Sequence, residues 1–352
     1  GYEIEGRWKL AKLVRKRFDS VQVLIHLGVT PRYFMPLAID ARLVPVMKLN
    51  STAETQSSFA FLDWLLSIGM ALTWGSSFLL IKIAIRDFDS ALIPLGRTAF
   101  GAAALLLIPG ARQRIAREHW PRLLVLGFVW MAFPFFLYPL AEETVSSAIT
   151  GMMNGGLPVV VTLVTAIWVQ VMPSPRRIIA VLVGFSGIAL IAIPSISDGS
   201  TADTRGIALL LIALFSYAVA INIARPLQSA YSPATLMLHV ELVACVISLP
   251  LGIWGAKHST FSWPALSALA LLGVLGTGFA FVLFALLSKR TGAVRSMIPT
   301  YFTPIVGTVL GKLFNNEPIM WISVIGMLIV IIGAWLTSLP EKQKATDRVP
   351  AR

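Results

Sequence analysis

The sequence predicts an all-α polytopic membrane protein with ten transmembrane helices, arranged as two inverted five-helix repeats. Three observations predict it: the composition, the length of the uncharged segments and the similarity between the two halves. The chain of 352 residues is 56% hydrophobic and 13% charged, whereas soluble domains are about a quarter charged. Its uncharged segments are as long as the roughly 18 residues that a helix needs to cross a bilayer.

Seven segments of the chain are long and uncharged enough to be identified as spans by apolarity alone. They are apolar on every side, as membrane helices are and barrel strands are not. They are 64–81, 123–141, 144–175, 178–197, 206–224, 259–288 and 318–340. Three further apolar segments hold or adjoin ionisable residues: 91–109 around Arg97, 232–255 around His239 and Glu241, and 293–314 flanked by Arg295 and Lys312. Together these segments predict ten crossings.

The charges between the spans predict the orientation. With a cytoplasmic N-terminus, ten basic residues lie in short inward loops and three in outward loops, which is the positive-inside pattern of membrane proteins. Both termini are then cytoplasmic, and the expected location is the bacterial inner membrane. Residues 1–58 are expected to be an N-terminal extension, either disordered or an annotation extension, and 341–352 a C-terminal tail. Because the basic residues lie between spans, the net charge of +12 does not indicate nucleic acid.

An internal repeat relates the two halves of the chain. Residues 123–194 align without gaps on 269–340, and the matched positions include glycines, prolines and phenylalanines, which coincide by chance less often than Leu or Val. Each half, 59–195 and 205–340, is therefore expected to hold five spans. Because five is odd, the halves enter the membrane from opposite faces, an architecture that supports alternating access.

A family resemblance rests on several segments taken together. They are "ALTWGSSFLLIKIAI", "LGRTAFGAAALLL", "TYFTPIVGTVLGKLFNNEP" and the spacing of Gly326 and Gly333. Over about residues 60–340 the chain resembles the EamA-type branch of the drug/metabolite transporter superfamily. The resemblance implies a secondary active transporter, expected to export small organic metabolites such as amino acids or drugs by alternating access with gradient coupling. Many members place a carboxylate where this chain has Leu157 and Thr303, so the resemblance does not extend to proton coupling at those positions.

Other classes of function stay open on the residues alone. A channel or a non-transporting scaffold subunit would also carry polar residues inside its spans. An intramembrane enzyme fits less well, because the histidines are scattered and no HExxH, G-x-S-x-G or Walker A sequence occurs. We therefore expect no enzyme activity, no metal and no cofactor. The expected partners are a small-molecule solute, the lipid bilayer and protons as a coupling ion, with the chain acting as a monomer or homodimer.

Polar residues inside the spans are the candidate site, because a charge in hydrocarbon costs on the order of 3 kcal/mol and therefore faces the bundle interior or a wet cavity. Arg97 is expected to bind a carboxylate or phosphate. The alternatives are a permanent pair with Glu241 or a side chain that reaches the headgroups. The other expected substrate contacts are Trp74, Ser76, Tyr138, Asn154, Gly155, Tyr217, Asn222, Tyr301 and Thr303.

Three ionisable residues are candidates for coupling or gating. Lys82 either reaches the outer interface or gates an anion there. His239 and Glu241 are proton-responsive candidates, and their spacing puts them on different faces of a helix, so separate tasks are expected. Outside the spans, Glu317 is expected to be a solvated loop carboxylate or a helix-start charge beside Pro318.

Paired helix breaks are expected in the fourth and ninth spans. Gly155, Gly156 and Pro158 weaken the helical hydrogen bonding of the fourth span, and Pro299 and Pro304 that of the ninth. The alternative explanation is close packing through small residues. Because matched breaks are typical of a binding site at the membrane midplane, they predict the location of the site.

Overall fold

A computed structural model describes residues 60–170, 172–197, 204–284, 286–287 and 298–338. The residues in these ranges form helices and turns and contain no strand, which establishes the all-α class. The helices, numbered in chain order, are α1 (Phe61–Ala84), α2 (Ile93–Leu106), α3 (Trp120–Leu126), α4 (Phe133–Glu142), α5 (Ser147–Asn154), α6 (Leu157–Val169), α7 (Pro175–Ser197), α8 (Thr204–Ala230), α9 (Pro233–Lys257), α10 (Trp263–Gly273), α11 (Ile298–Asn315) and α12 (Trp321–Ser338). The predicted extension 1–58 and tail 341–352 lie outside the described residues.

Several of these helices are long and apolar enough to cross a membrane. In the described ranges there are six, or seven if the bent pair of α5 and α6 is one span. The six are Phe61–Ala84, Arg117–Glu142, Pro175–Ile193, Thr204–Ala230, Pro233–Lys257 and Trp263–Phe284. The segments Ile93–Leu106 and Trp321–Leu336 are apolar but shorter, and α11 lies at the predicted ninth span. The molecule is therefore a polytopic membrane protein.

Two of the spans contain a π-helical segment. Gly127–Ala132 joins α3 to α4, and Val274–Phe279 follows α10. Such segments interrupt the regular hydrogen-bond ladder and occur frequently at functional sites. In the alignment that pairs Gly127 with Gly273, the two π segments occupy the same positions except for a shift of one residue. The two halves of the chain thus share a backbone irregularity as well as sequence.

Glycines bring α7 and α12 into close contact. A Cβ atom on Gly187 would lie 2.7 Å from the carbonyl oxygen of Gly326, and one on Gly333 would lie 2.6 Å from the Cα of Gly184. The neighbouring atoms belong to the backbone and cannot turn aside as a flexible side chain can. The two helices therefore approach as closely as small residues allow, which is a common way for membrane helices to pack.

We expect Gly187→Val to separate α7 from α12 and to lower the free energy of unfolding by about 1–3 kcal/mol, because the added methyl groups meet backbone. The measurement is thermal unfolding of the purified protein in detergent. Gly110→Val is the matched control, since a Cβ at Gly110 has no atom within 4 Å. Equal melting temperatures for the two variants would contradict the close contact.

The expected helix breaks differ between the two halves. In the fourth span, Gly155 and Gly156 separate α5 from α6, and the two helix axes are bent by 41°. Pro158 lies in the first turn of α6, where a missing N–H costs nothing. In the ninth span, α11 begins in the described structure at Ile298 and continues through Pro304. α11 therefore has no break at Pro304, whereas the residues that precede Ile298, next to Pro299, lie outside the described ranges.

Tertiary packing explains why α11 continues through its prolines. Pro299 follows the first described residue of α11, and the residues before Ile298 lie outside the described ranges. The ring of Pro304 packs against the backbone of Gly155, in space that a Cβ on that glycine would occupy. The hydroxyl of Thr308 donates to the carbonyl oxygen of Pro304 at 2.8 Å. Packing against Gly155 of the fourth span thus stabilises α11 at Pro304, where the helix lacks one backbone hydrogen bond.

Candidate functional site

The buried guanidinium of Arg97 lies where several helices meet. Its side chain is 8% exposed. The Nε atom donates to the Oγ1 atom of Thr277 at 3.1 Å, and Cζ lies 3.7 Å from the centre of the Phe135 ring. The second contact is a cation–π interaction, which stabilises a cation without neutralising its charge. Arg97 is therefore held in place by α4 and by the π segment Val274–Phe279.

Two tyrosines and an asparagine extend this site. Tyr138 lies one turn after Phe135 on α4, and its hydroxyl donates to Oδ1 of Asn154 at 2.7 Å. The rings of Tyr138 and Tyr217 have centroids 5.9 Å apart, and Arg97 interacts electrostatically with both tyrosines. We call Arg97, Phe135, Tyr138, Asn154, Tyr217 and Thr277 the central cluster. It brings together side chains from both halves of the chain.

The local backbone positions two of these residues. The hydroxyl of Thr277 donates to the carbonyl oxygen of Leu272 at 3.3 Å, a five-residue step that matches π-helical spacing. This bond leaves the hydroxyl oxygen free to accept from Arg97. Asn154 is the last residue of α5, immediately before the bend at Gly155 and Gly156. Thr277 was not among the residues predicted from the sequence, because a hydroxyl among apolar residues carries no distinctive signal.

Arg97 has no carboxylate partner in the described structure. In the described residues, the ion pair whose nitrogen and oxygen atoms lie within 4.0 Å is that of His119 with Glu118, at 3.9 Å, and it does not involve Arg97. Glu241 is fully buried, and neither of its carboxylate oxygens has a hydrogen-bond partner among the described residues. The permanent pair of Arg97 with Glu241 that the sequence left open is therefore absent. Of the five N–H donors of the Arg97 guanidinium, one makes a hydrogen bond in the described structure, the bond to Thr277.

Trp74 belongs to an aromatic group beside the central cluster. Its ring lies 6.4 Å from those of Phe281 and Phe284, and Trp130 lies 6.1 Å from Phe281. Phe281 packs against the same apolar core as Phe135. Trp74 is thus positioned to form a wall near the site, and in the described structure it packs against aromatic rings of the second half.

Other expected substrate contacts lie elsewhere. The amide of Asn222 donates to Thr165 and to the carbonyl oxygen of Ala218, at 3.0 and 2.9 Å, so it joins α6 and α8. The remaining hydroxyls contact backbone carbonyls: Ser76 contacts Thr73, Tyr301 contacts Ala334 and Thr303 contacts Pro299. In the described structure, helix carbonyls and an interhelical partner thus engage the polar atoms of Ser76, Asn222 and Thr303.

Lys82 binds the protein rather than extending to a lipid headgroup. Its Nζ atom donates to the backbone carbonyls of Glu142 and Val145, the latter at 3.2 Å. The Glu142 carbonyl lies at the C-terminal end of α4, where the helix dipole attracts a cation, and the Val145 carbonyl lies in the loop that follows. The carboxylate of Glu142 is fully buried, and its oxygens have no hydrogen-bond partner in the described residues. Lys82 therefore fastens α1 to the end of α4.

Glu317 is a buried cap on another helix, which corrects the expectation of a solvated loop carboxylate. It is 4% exposed. Its Oε1 atom accepts from the backbone N–H and the hydroxyl of Ser147, at 3.0 and 2.9 Å, and Oε2 accepts from the N–H of Ala148 at 2.8 Å. Asn315 donates to Oε1 at 2.8 Å. The carboxylate thus binds N–H groups at the start of α5 that the helix leaves unpaired.

Further hydrogen bonds join the two halves at the same end of the helices. Asp87 Oδ2 accepts from the hydroxyl of Ser262 at 2.5 Å, and its carbonyl oxygen accepts from the N–H of Thr260 at 2.8 Å. The N–H of Asp89 donates to the hydroxyl of Ser259 at 2.9 Å. We call the loops 85–92, 143–146, 258–262 and 316–320 the Glu317 end. Hydrogen bonds thus join loops of the two halves at this end of the molecule.

His239 and Glu241 have separate surroundings. His239 Nδ1 lies 2.8 Å from the carbonyl oxygen of Thr235, and its ring meets that of Trp120 edge-on at 6.4 Å. Glu241 instead contacts Gly101 of α2. The two side chains therefore leave α9 on different faces. Within the described ranges no group of three His, Cys, Asp or Glu side chains is placed to hold a metal ion.

Comparison with known proteins gives consistent matches. A sequence model of the EamA-like transporter family matches residues 63–193 and again residues 204–339. An uncharacterized transporter of Archaeoglobus fulgidus is 22% identical over 272 residues, which cover 76% of this chain and 97% of that protein. The uncharacterized transporter YvbV of Bacillus subtilis is 21% identical over 281 residues, covering 78% and 92% respectively.

Two further matches concern a named activity and a fold. A protein of Streptantibioticus cattleyicolor named "Probable terminal-alkyne amino-acid exporter" is 23% identical over 270 residues, covering 75% of this chain and 89% of that protein. A solved crystal structure has a TM-score of 0.54 at 17% identity, covering 78% of this chain and 96% of that chain. The structural match is a likeness of fold.

Proposed function

Since the chain belongs to the EamA-like transporter family, we propose that it is a secondary active transporter that exports small organic metabolites bearing a carboxylate, with amino acids as the leading class. A role in membrane transport follows from the family. The observation that carries the substrate class is Arg97, a buried guanidinium with no carboxylate partner within 4.0 Å in the described structure. Such a group binds a carboxylate strongly, because two parallel hydrogen bonds add to the attraction between the opposite charges.

The surroundings of Arg97 favour a zwitterion. The guanidinium would hold the carboxylate, while Oδ1 of Asn154 is an acceptor for an ammonium group. Asn154 also lies at the C-terminal end of α5, where the helix dipole attracts positive charge. The rings of Tyr138 and Tyr217 supply an apolar wall for the rest of the solute. The name of the Streptantibioticus relative supports the same class.

The proposed topology is ten spans in two inverted repeats, 59–195 and 205–340, with both termini in the cytoplasm of a bacterial cell. The two family matches and the corresponding π segments support the repeat. In this topology the Glu317 end faces outward and its hydrogen bonds close the outer mouth. Alternating access then opens the central cluster to one side at a time, driven by a solute or proton gradient.

The test is counterflow in liposomes that contain the purified protein. We expect labelled amino acids to enter with saturable kinetics, and faster when the liposomes are preloaded with the unlabelled compound. Control liposomes contain no protein. Flux that neither saturates nor responds to preloading would favour the channel alternative. No flux of any member of a broad panel of amino acids and other carboxylates would overturn the proposal.

A further inference from the structure

Glu241 is a buried carboxylate at a junction of three helices. It is 0% exposed, and its two oxygens have no hydrogen-bond partner among the described residues. Its Oε2 atom occupies the space that a Cβ on Gly101 would need, and the carbonyl oxygen of Gly273 lies 3.2 Å from that Cβ position. The carboxylate therefore fits into a gap that two glycines create between α2 and α10.

An ionised carboxylate at this place would be costly, because burial of an uncompensated charge costs several kcal/mol. Two arrangements avoid that cost: a proton on Glu241, or a cation against it. The candidate cation is Arg97, one turn before Gly101 on α2, the helix that Glu241 contacts. In the described structure the two groups are more than 4.0 Å apart, so no ion pair with Arg97 offsets the burial of Glu241 there.

Among the ionisable groups on α9 and on the elements packed against it, Arg97 is the cation placed to pair with Glu241. The segment Gly127–Ala132 contains none. The groups on α9 and on the elements packed against it are Arg97 on α2, Arg112 on the turn 109–112, Arg122 on α3, Arg205, Tyr217 and Arg225 on α8, and His239 and Lys257 on α9. Arg97 is the one among them on α2, the helix that Glu241 contacts at Gly101.

We propose that Glu241 is the proton-binding group of the transport cycle and that it competes with the substrate carboxylate for Arg97. This inference rests on the proposed function. Without substrate and without the proton, ionised Glu241 leaves the position against Gly101 that it has in the described structure and pairs with the guanidinium. When a substrate carboxylate takes the guanidinium, Glu241 accepts one proton from solution and rests against Gly101 as a neutral acid. The positive charge of Arg97 then balances the bound carboxylate, so one proton is taken up for each substrate bound.

Binding and proton uptake are measured in parallel on the purified protein in detergent. The probe is an equimolar mixture of the proteinogenic amino acids, and a pH indicator in weak buffer reports protons. We expect about one proton taken up per bound amino acid. Because binding takes up a proton, the measured Kd should rise by up to about tenfold per pH unit as the pH increases above the pKa of Glu241 in the substrate-free protein.

Two isosteric variants identify the proton site. Glu241→Gln is expected to bind the amino-acid mixture without proton uptake and with a Kd that does not depend on pH. Glu142→Gln is the matched control, since Glu142 is another fully buried carboxylate without a hydrogen-bond partner in the described residues, and it should keep the uptake. Uptake that persists in Glu241→Gln, or that is lost in Glu142→Gln alone, would overturn the assignment.

Infrared spectroscopy separates this inference from the proposed substrate class. If the wild-type protein binds no amino acid, the substrate class is wrong, yet the protonation of Glu241 remains measurable. A carboxylic-acid band that appears in the substrate-free wild-type protein as the pH is lowered, is retained in Glu142→Gln and is absent from Glu241→Gln would support the assignment. A band that is unchanged in Glu241→Gln would overturn it. Melting temperatures within the range of the wild-type protein establish that the variants are folded.

Discussion

Replacement of Arg97 by alanine is expected to abolish the transport of carboxylate-bearing solutes while the protein is still made and inserted. A hydrogen bond to a charged group contributes about 1.5–3 kcal/mol, so loss of a bidentate pair should weaken binding by roughly a hundredfold or more. Arg97→Lys keeps the charge but not the planar fork, and we expect it to restore only part of the transport. The measurement is counterflow uptake of labelled amino acids into liposomes.

Arg114→Ala is the control for this prediction, because Arg114 is an exposed basic residue outside the spans. Its transport should equal that of the wild-type protein. If Arg97→Ala transports carboxylates at the wild-type rate, then Arg97 has a structural role only, through its contacts with Thr277 and Phe135. A neutral solute carried equally well by wild type and Arg97→Ala would show that the variant is folded and that its defect concerns the anion.

Replacement of Glu317 by alanine is expected to lower the free energy of unfolding by about 2–4 kcal/mol. The change leaves the N–H groups of Ser147 and Ala148 without their carboxylate acceptor, and a buried unpaired donor costs about 1–3 kcal/mol. It also removes a negative charge from the N-terminus of α5. Thermal unfolding in detergent measures the loss. We expect Glu317→Gln to recover part of the stability, since its amide oxygen still accepts one hydrogen bond.

Glu143→Ala is the matched control at the same end of the molecule. Glu143 is exposed and accepts one hydrogen bond, from the hydroxyl of Ser90 at 2.6 Å. Because solvent can replace that bond, we expect a change below about 1 kcal/mol. Equal melting temperatures for Glu317→Ala and the wild-type protein would contradict the role of Glu317 as a helix cap.

The bend in the fourth span was predictable, whereas the course of the ninth span was not. Gly155 and Gly156 weaken a helix through their own backbone freedom, which is a local property. Pro304 also removes a helical hydrogen bond, but its ring packs against Gly155 and α11 continues. The same residue type would interrupt an isolated helix. Whether it does so here depends on a neighbour that local sequence does not reveal.

The role of Glu317 illustrates the same limit at the candidate site. The sequence places this carboxylate in a loop beside Pro318 and suggests solvent or its own helix as the partner. Its actual partners, Ser147 and Ala148, lie in the other half of the chain. Lys82 is similar, since its amine binds carbonyls of α4 and not a headgroup. Each contact depends on how two distant helix ends meet.

The sequence by itself determined that this is an all-helical membrane protein of the EamA-like family, and it selected Arg97 as an intramembrane charge. Apolar length is a sum over neighbouring residues, so the chain carries that information locally. Only the tertiary structure decided which groups surround Arg97, that Glu241 stands apart from it with no hydrogen-bond partner among the described residues, and that Glu317 caps α5. Those outcomes depend on where helices cross, and close packing at glycines sets the crossings.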